Sequence, residues 1–592
     1  MHNQYHTDVL VVGGGTGGTA AAIQAARRGA KVILVSEFDW LGGMLTSAGV
    51  TVPDGNELKA FQTGLWGEFL HELHAEQSEG LDNSWVSFFS YEPRIGAQIF
   101  ANWVNALPNL QWISGYVPLE VLRQGNCITG VRFDSFTVHA KITIDGTELG
   151  DLLALGEIPY RWGWELQSTF GEKSAPVEYS YLTQKYSVQA PTWVVVMQDF
   201  GSDAPAIPKA LNYDESLFIG AWDNYGAEKF MNYGRLPGNR FMINWPLKGN
   251  DWGENVGRLV EQEPKRQEFL QECFWHSQNF AHFIQSQLGK RYGLAPDVFP
   301  ARELFNNIST SFALHPYYRE SRRLIGLTTL CEQDILPSDG GNAAPLHEDA
   351  IAIGNYANDH HYPGIEFPLQ PKSIRWGGRW TGTPFTIPYR CLVPADVDGF
   401  FACEKNISVS HIANGATRLQ PVAMNIGQAV GMAAALCIEN SIHPRYLQVK
   451  TLQISLIENL YLPNAIVPFF NLTLDNPEWL KWQKYYIDNP TVYPISGVCP
   501  SIAENQCLYI HENSVKIRNN KYVTGIFHLC SQQDYIFTVT TPSQYEGQTW
   551  QLVTLHPHVD SILKNLTSGE LIKLWGRYNS AGNWLLVEHI EK

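Results

Sequence analysis

Residues 8–36 hold the pattern that most restricts what this chain can fold into. Asp8-Val-Leu-Val-Val12 is a short, continuously apolar run, of the kind that forms a parallel strand buried on both faces. Gly13-Gly-Gly15-Thr16-Gly17-Gly18 follows at once, then an Ala-rich stretch from Thr19 to Arg28 that stops at Gly29, then a second apolar run, Lys31-Val-Ile-Leu-Val35. The Ala-rich stretch has high helix propensity, and glycine is a natural stop. A Gly-x-Gly-x-x-Gly alone is a weak signal and can be a turn without a ligand. Inside a complete strand–turn–helix–strand frame it specifies a dinucleotide-binding unit. Gly13 allows the tight turn, Gly15 lets a pyrophosphate approach the backbone, and Gly18 permits close helix–strand packing. The anion rests on the positive end of the helix that begins near Thr16.

An acidic residue holding a ribose hydroxyl is expected to close the second strand. The strand register puts Ser36 there, with Glu37 next to it; Glu37 is the favoured partner and Ser36 the weaker, neutral one. The motif leaves FAD and NAD both open. Two features favour FAD. Asp39-Trp-Leu-Gly42-Gly43-Met44 follows the second strand directly, so its glycine pair brings backbone to the far side of a dinucleotide. The second feature lies late in the chain. Strand and loop over Ile387–Asn406 lead through a loop, Ile407–Arg418, into a helix expected over Pro421–Cys437, where Gly427 and Gly431 give a small-residue face. The backbone N–H groups at such a helix start suit the negative charge of a reduced flavin.

With these segments in view, the sequence resembles the single-Rossmann FAD-dependent oxidoreductases, distant relatives of the fumarate reductase and succinate dehydrogenase flavoproteins. The resemblance covers roughly residues 5 to 465 and rests on Gly13–Gly18, Asp39–Met44, Ile144–Asp151, Ile243–Asp251, Arg319–Arg323, Ile353–Tyr356 and His411–Gly431. It implies FAD as cofactor, with contacts from Gly13, Gly15, Thr16, Gly17 and Gly18, and from Gly42, Gly43 and Met44. It also implies a ribityl-binding role for Glu404, a flavin-pyrimidine position for Asn425, Ile426 and Gly427, and a turn at Asp145-Gly-Thr147 that closes the FAD domain. No second Gly-x-Gly-x-x-Gly occurs, so a separate nicotinamide domain is not expected.

The resulting fold class is α/β: a discontinuous Rossmann-type FAD-binding domain, an inserted α+β substrate domain and a small all-β C-terminal domain. The expected boundaries are 1–158 and 386–440 for the FAD domain, with a β-meander over 111–145, and 159–385 for the substrate domain. A helical tail and linker over 441–495 shows a Leu452, Leu456, Leu460 face, and 496–592 alternates as short strands, an OB-like barrel being one form of this. In the substrate domain Phe269, Leu270, Cys273, Phe274, Phe280 and Ile284 share one helix face and read as core. Tyr160, Trp162, Trp164, Trp245, Trp376 and Trp380 either line a pocket or, more commonly, pack as core.

Catalytic candidates are fewer. His411 opens the loop expected to pass the flavin, and an imidazole suits proton transfer at neutral pH; His360 and His361 are secondary candidates. Arg418 is placed to stabilise negative charge. Arg322, with Arg319 and Arg323, either binds a substrate carboxylate through its planar fork or belongs to a solvated helix end. The nine cysteines contain no Cys-x-x-Cys, so no metal site or dithiol chemistry is expected. A net charge of −16, from 42 basic and 58 acidic residues, argues against nucleic acid as a partner. The chain carries no recognisable signal peptide or uninterrupted apolar span, and a cytoplasmic location without a membrane partner is expected. The expected partner is a small molecule, with homo-oligomerisation left open. The function read here is hydride transfer between a small organic substrate and flavin N5. Two rivals are an FAD-retaining binding or sensor protein without turnover and a redox-neutral flavin-containing lyase or isomerase.

Overall fold

The computed structural model describes residues 3–305, 307–500 and 522–591. The apolar run at the start becomes β1 (Asn3–Val12), which pairs in parallel with β2 (Val32–Ser36) on one side and with β6 (Phe136–Asp145) on the other. β3 (Leu110–Ser114) lies outside β2, also parallel. Helix α1 (Thr16–Arg27) carries the chain from β1 to β2. β5 (Cys127–Arg132) runs antiparallel against the first half of β6, and β4 (Glu120–Gln124) runs antiparallel against β5 on its outer side. The expected meander is therefore shorter at its start: β3 belongs to the parallel sheet, because its register follows β2 from Leu110 to Ser114.

The inserted region builds a four-stranded antiparallel sheet from β7 (Val195–Asp199), β8 (Arg235–Leu236), β9 (Arg240–Ile243) and β10 (Tyr292–Leu294). Helix α2 (Glu263–Leu288) packs on it. Phe269, Cys273, Phe274, Phe280 and Ile284 are buried in this second core as the spacing predicts, while Leu270 is only partly buried. The aromatic set from residue 160 to 380 does not converge: Trp245 and Trp376 are core, Trp164 packs on His411, and Trp380 is 61% exposed.

The chain then returns to the first sheet. β11 (Phe400–Ala402) pairs in parallel with the last residues of β6, giving the order β3-β2-β1-β6-β11. The segment expected as loop before the long helix is partly helical, α3 (His411–Thr417), because the Ser410 side chain caps it by accepting from Ala413 N–H. α4 (Gln420–Asn440) follows and packs along α1. Gly427 and Gly431 face the Gly17 and Ala21 carbonyls, where any side chain would collide. α4 is long and apolar enough to cross a membrane by composition, yet nearly all of it is buried in the core. Beyond it a helix over Val449–Ile457 buries Leu452 and Leu456, whereas Leu460 lies past its end and is exposed.

The last strands, β12 (Val523–Ser531), β13 (Asp534–Thr541), β14 (Thr549–Val553), β15 (Leu571–Asn579) and β16 (Trp584–Glu591), close a barrel in the order β12-β13-β14-β16-β15. A helix, α5 (Pro557–Lys564), connects β14 to β15. The barrel rests on the body through Gln551, which donates to the Gly378 carbonyl at 2.7 Å, and through Asn579 and Trp584, which donate to Asp82. The strand expected at Ser514–Arg518 lies outside the described residues.

Candidate active site

The glycine loop joins the end of β1 to the start of α1. Gly13 has φ +105°, and a side chain there would meet the Gly146 carbonyl at 2.2 Å. Gly17 sits where a Cβ would come within 1.8 Å of the Cys403 carbonyl oxygen. The Gly42–Gly43 turn is locked onto this loop: Thr16 Oγ1 donates to the Gly42 carbonyl at 2.7 Å, and Gly42 N–H donates to the Gly14 carbonyl at 2.9 Å. Met44 follows, fully buried. Among the described residues the N–H groups of Gly14, Gly15 and Thr16 donate to no protein acceptor. Three free N–H groups at the start of a buried helix form a cradle for a phosphate anion.

Glu404, just after β11, reaches this loop and accepts from Gly17 N–H, while its Oε2 is buried without a hydrogen bond, 3.5 Å from Lys405 Nζ. Burial pushes its carboxyl up to about 7, with the Lys405 ammonium acting the other way. Lys405 is wholly buried and donates to Glu148 at 2.6 Å. Burial acts to raise the Glu148 carboxyl, but Lys405 outweighs it and holds that carboxyl below its ordinary value. The group implied here, FAD, fits these residues. The free N–H groups suit its pyrophosphate, and the Glu404 oxygen left without a hydrogen bond suits a hydroxyl of its ribityl chain. At the adenosine end Ser36 is spent, since its hydroxyl donates to the Phe38 carbonyl and accepts from Trp112 Nε1. Glu37 is exposed there, within electrostatic reach of Arg266 and Arg302.

The remaining cofactor candidates are placed unequally. Asp145 is turned back onto its own turn, accepting from Thr147 N–H at 3.0 Å and Thr147 Oγ1 at 2.7 Å. Burial pushes its carboxyl up to about 7, and it shapes the turn beneath Gly13 rather than facing the loop's open side. Asn425 is fully buried with neither amide atom partnered, and Ile426 packs in the main core.

At the start of α4 the FAD domain meets the inserted domain, and a chain of alternating charges crosses the junction. Arg418 donates through Nη1 to Tyr317 and through Nη2 to Asp359 Oδ2 at 3.1 Å. Asp359 also takes His361 Nε2 at 2.8 Å, and His361 Nδ1 lies 2.8 Å from Asp251 Oδ2. Asp251 Oδ1 in turn pairs with Arg319 Nη2 at 3.0 Å. Asp359 keeps 41% of its side-chain surface free although His361 and Arg418 hold its carboxylate, so it lines a recess at this junction, the Arg418–Asp359 chamber. Burial acts to raise its carboxyl, but His361 and Arg418 prevail and hold it well below the ordinary range. Arg418 Nε and Gln420 Oε1, at the threshold of α4, have no partner. Two candidates read from sequence, Arg418 and His361, therefore meet here. Sequence reading missed Asp359, Tyr317, Glu148 and Lys405 as site residues, because each depends on a partner more than 40 residues away.

His411 stands outside this chamber. Its ring is fully buried, 3.9 Å from the Trp164 ring, with Nδ1 2.8 Å from Glu320 and Nε2 2.6 Å from Tyr362 Oη. Tyr362 Oη continues to His360 Nδ1 at 2.7 Å, and His360 Nε2 to the Ile412 carbonyl at 3.0 Å. A carbonyl only accepts, so with neutral rings the polarity of the whole chain follows. His360 donates to Ile412, Tyr362 donates to His360, His411 donates to Tyr362, and a protonated Glu320 donates to His411. Burial agrees with this assignment, lowering His360 and His411 to about 3 and raising Glu320 to about 7.

Arg322 is not brought to Arg418. It donates to the Leu149 carbonyl at 2.9 Å and Asp151 at 3.0 Å, tying the 149–151 turn to the Arg319–Arg323 segment. The Arg319–Arg323 group is not a solvated helix end either, since all three arginines are buried against fixed partners. Among the described residues no cluster of metal-ligating side chains occurs. An open groove of about 940 Å³ beside Ile95, Ile99 and Trp103 shares no residue with the chamber.

A family model described as FAD dependent oxidoreductase matches residues 8–456. Sarcosine oxidase subunit alpha from Corynebacterium sp. (strain U-96) is 38% identical over 93 residues, 15% of this chain and 9% of that protein. The same subunit from Corynebacterium sp. (strain P-1) is 47% identical over 60 residues, 10% of this chain and 6% of its own. The chain thus aligns with less than a tenth of the length of these relatives. Among solved structures, a geranylgeranyl bacteriochlorophyll reductase-like protein from Thermoplasma acidophilum aligns over 83% of this chain and 89% of its own, with 11% identity and TM-score 0.34. E. coli quinol fumarate reductase FrdA aligns over 77% and 75%, with 13% identity and TM-score 0.26.

Proposed function

Because this chain belongs to the FAD-dependent oxidoreductase family, we propose that it transfers a hydride between a small organic substrate, held in the Arg418–Asp359 chamber, and flavin N5. Bound FAD supplies the hydride acceptor or donor. The protein's part is to bind, orient and exclude water. The free N–H groups of Gly14–Thr16 hold the phosphate end, which directs the other end toward the start of α4. There the helix start and the unpartnered Arg418 Nε favour negative charge on whatever lies against them. Asp359 and Tyr317 fix the Arg418 fork, so little is reorganised when a substrate arrives.

One observation carries this reading: the alternating chain Arg418–Asp359–His361–Asp251–Arg319 stands at the start of α4 with Asp359 part-accessible and Arg418 Nε unpartnered. A small molecule is the partner that fits such a recess. The test is anaerobic mixing of the FAD-loaded protein with a panel of small alcohols, amines and acids, followed at the flavin's visible band. Bleaching by a subset supports the reading, and Arg418→Ala should slow it about 10²–10³-fold with FAD retained. A flavin that dithionite reduces but no member of the panel bleaches contradicts it.

A further inference from the structure

Hydride removal from carbon needs a second group to take a proton, and most polar groups of the chamber are already committed. Both His361 nitrogens face carboxylates, Tyr317 Oη accepts from Arg418, and Asp251 and Asp359 are each held by two or more cationic or hydroxyl donors. His411 and Tyr362 belong to the closed chain that ends at Ile412. Asp54 is different. Among the described residues it makes no hydrogen bond and no ion pair, although it lies deep in the protein with part of its side chain accessible.

Its place is fixed by its neighbours. The next residue but one, Asn56, accepts from Asn355 N–H at 2.7 Å and donates to the Ile353 carbonyl at 3.1 Å, clamping the loop to a strand of the core. Gly55 lies against Tyr356 and Leu419: a Cβ there would be 3.6 Å and 3.8 Å from theirs. Leu419 is the N-cap of α4 and follows Arg418 directly. Asp54 is therefore held at the same helix start as the Arg418 threshold. The charged and titratable groups around it are Glu57, Arg379, Asp359 and Arg418, with Tyr233 and Tyr356 close by.

We propose that Asp54 is a catalytic carboxyl of the chamber and that the substrate is a carbon compound bearing H–C–OH or H–C–NH. This rests on the chamber being the substrate site. In the oxidative direction the C–H bond breaks, and its electron pair leaves with the hydrogen to the oxidised flavin. The O–H or N–H bond breaks, its proton passes to the Asp54 carboxylate, and its electrons form the C=O or C=N bond. Substrate loses two electrons and flavin gains two. Burial, followed by the Glu57 carboxylate, drives the Asp54 carboxyl well above its ordinary value against Arg379, Asp359 adds to the rise and Arg418 opposes it. Asp359 is held in the opposite sense.

The test uses FAD-loaded wild type, Asp54→Asn and, as a control for the neighbouring charge, Glu57→Gln. A pH titration of the flavin's absorbance without substrate should show, in wild type and Glu57→Gln, one more ionisation above the usual carboxylate range than in Asp54→Asn at equal FAD content, beyond those of Glu404 and Asp145 that all three share. Identical titrations in wild type and Asp54→Asn overturn the assignment to Asp54. In anaerobic mixing, alcohols or amines should bleach wild type, and Asp54→Asn should slow this about 10²–10⁴-fold while dithionite reduces both alike. Bleaching only by compounds without an O–H or N–H on the reacting carbon, or by none, overturns the substrate class. Loss of FAD from wild type itself would strike the oxidoreductase reading instead.

Discussion

The backbone N–H of Gly17 donates to the carboxyl of Glu404, so one hydrogen bond across 387 residues closes the loop that begins α1. Residues before and after the whole inserted domain thereby build the start of α1 together. The same junction brings β11 beside β6 and α4 along α1, with Gly17, Gly427 and Gly431 at the points of closest approach.

Gly17→Ala tests that junction. The added methyl would lie 1.8 Å from the Cys403 oxygen and 3.2 Å from the Ala423 oxygen, both backbone atoms. Overpacking of this kind costs about 1–3 kcal/mol. The variant should melt at lower temperature than wild type and copurify with less FAD, as read by thermal unfolding and by the flavin-to-protein absorbance ratio.

Asp145 gives a pH signature. Its folded carboxyl titrates at about 7 against an ordinary value of 3.8, so the folded state holds its proton more tightly. The stabilisation from that proton is complete below about pH 4 and is lost as pH rises to about 7. Asp145→Asn keeps an acceptor for Thr147 and removes the titration. Relative to this variant, wild type should lose up to a few kcal/mol between pH 4 and 8, read as a falling difference in melting temperature.

Much of this was legible in the sequence, and what was not has a common cause. The βαβ unit, the Gly42–Gly43 turn, the long α4 and the C-terminal barrel are local patterns of period and turn chemistry. Arg418 was readable from the motif that contains it. Asp359, Tyr317 and Lys405 carry no local signature: their roles come from partners at Arg418 and Glu148, set by tertiary packing. Arg319, Arg322 and Arg323 mislead in the opposite way, because a dense charge run looks solvated until Asp251, Asp151 and Glu165 are seen to bury it. His411 looks like a lone functional imidazole, and only the fold reveals Tyr362 and His360 beyond it.

Tyr362→Phe cuts that chain. The hydroxyl both accepts from His411 and donates to His360, and its loss leaves two buried ring nitrogens unpaired. The expected cost is about 1–3 kcal/mol of stability, with FAD content unchanged, measured by chemical denaturation of the loaded protein.

Arg323→Met removes a fully buried cation that pairs with Glu165 at 2.8 Å and Glu320 at 3.1 Å. Stranding the buried Glu165 carboxylate costs about 3–5 kcal/mol, so soluble yield and melting temperature should both fall sharply. Exposed Lys265→Met, which breaks only the surface pair with Glu268, should change neither measurably.

The most direct test of the central claim is a crystal structure of the FAD-loaded protein. The account predicts the pyrophosphate on the N–H groups of Gly14–Thr16, a ribityl hydroxyl on Glu404, and the isoalloxazine ring at the start of α4 with Arg418 and Asp359 facing the space beside it. A ring system lodged away from α4, with the Arg418–Asp359 chamber closed off from it, would contradict that account.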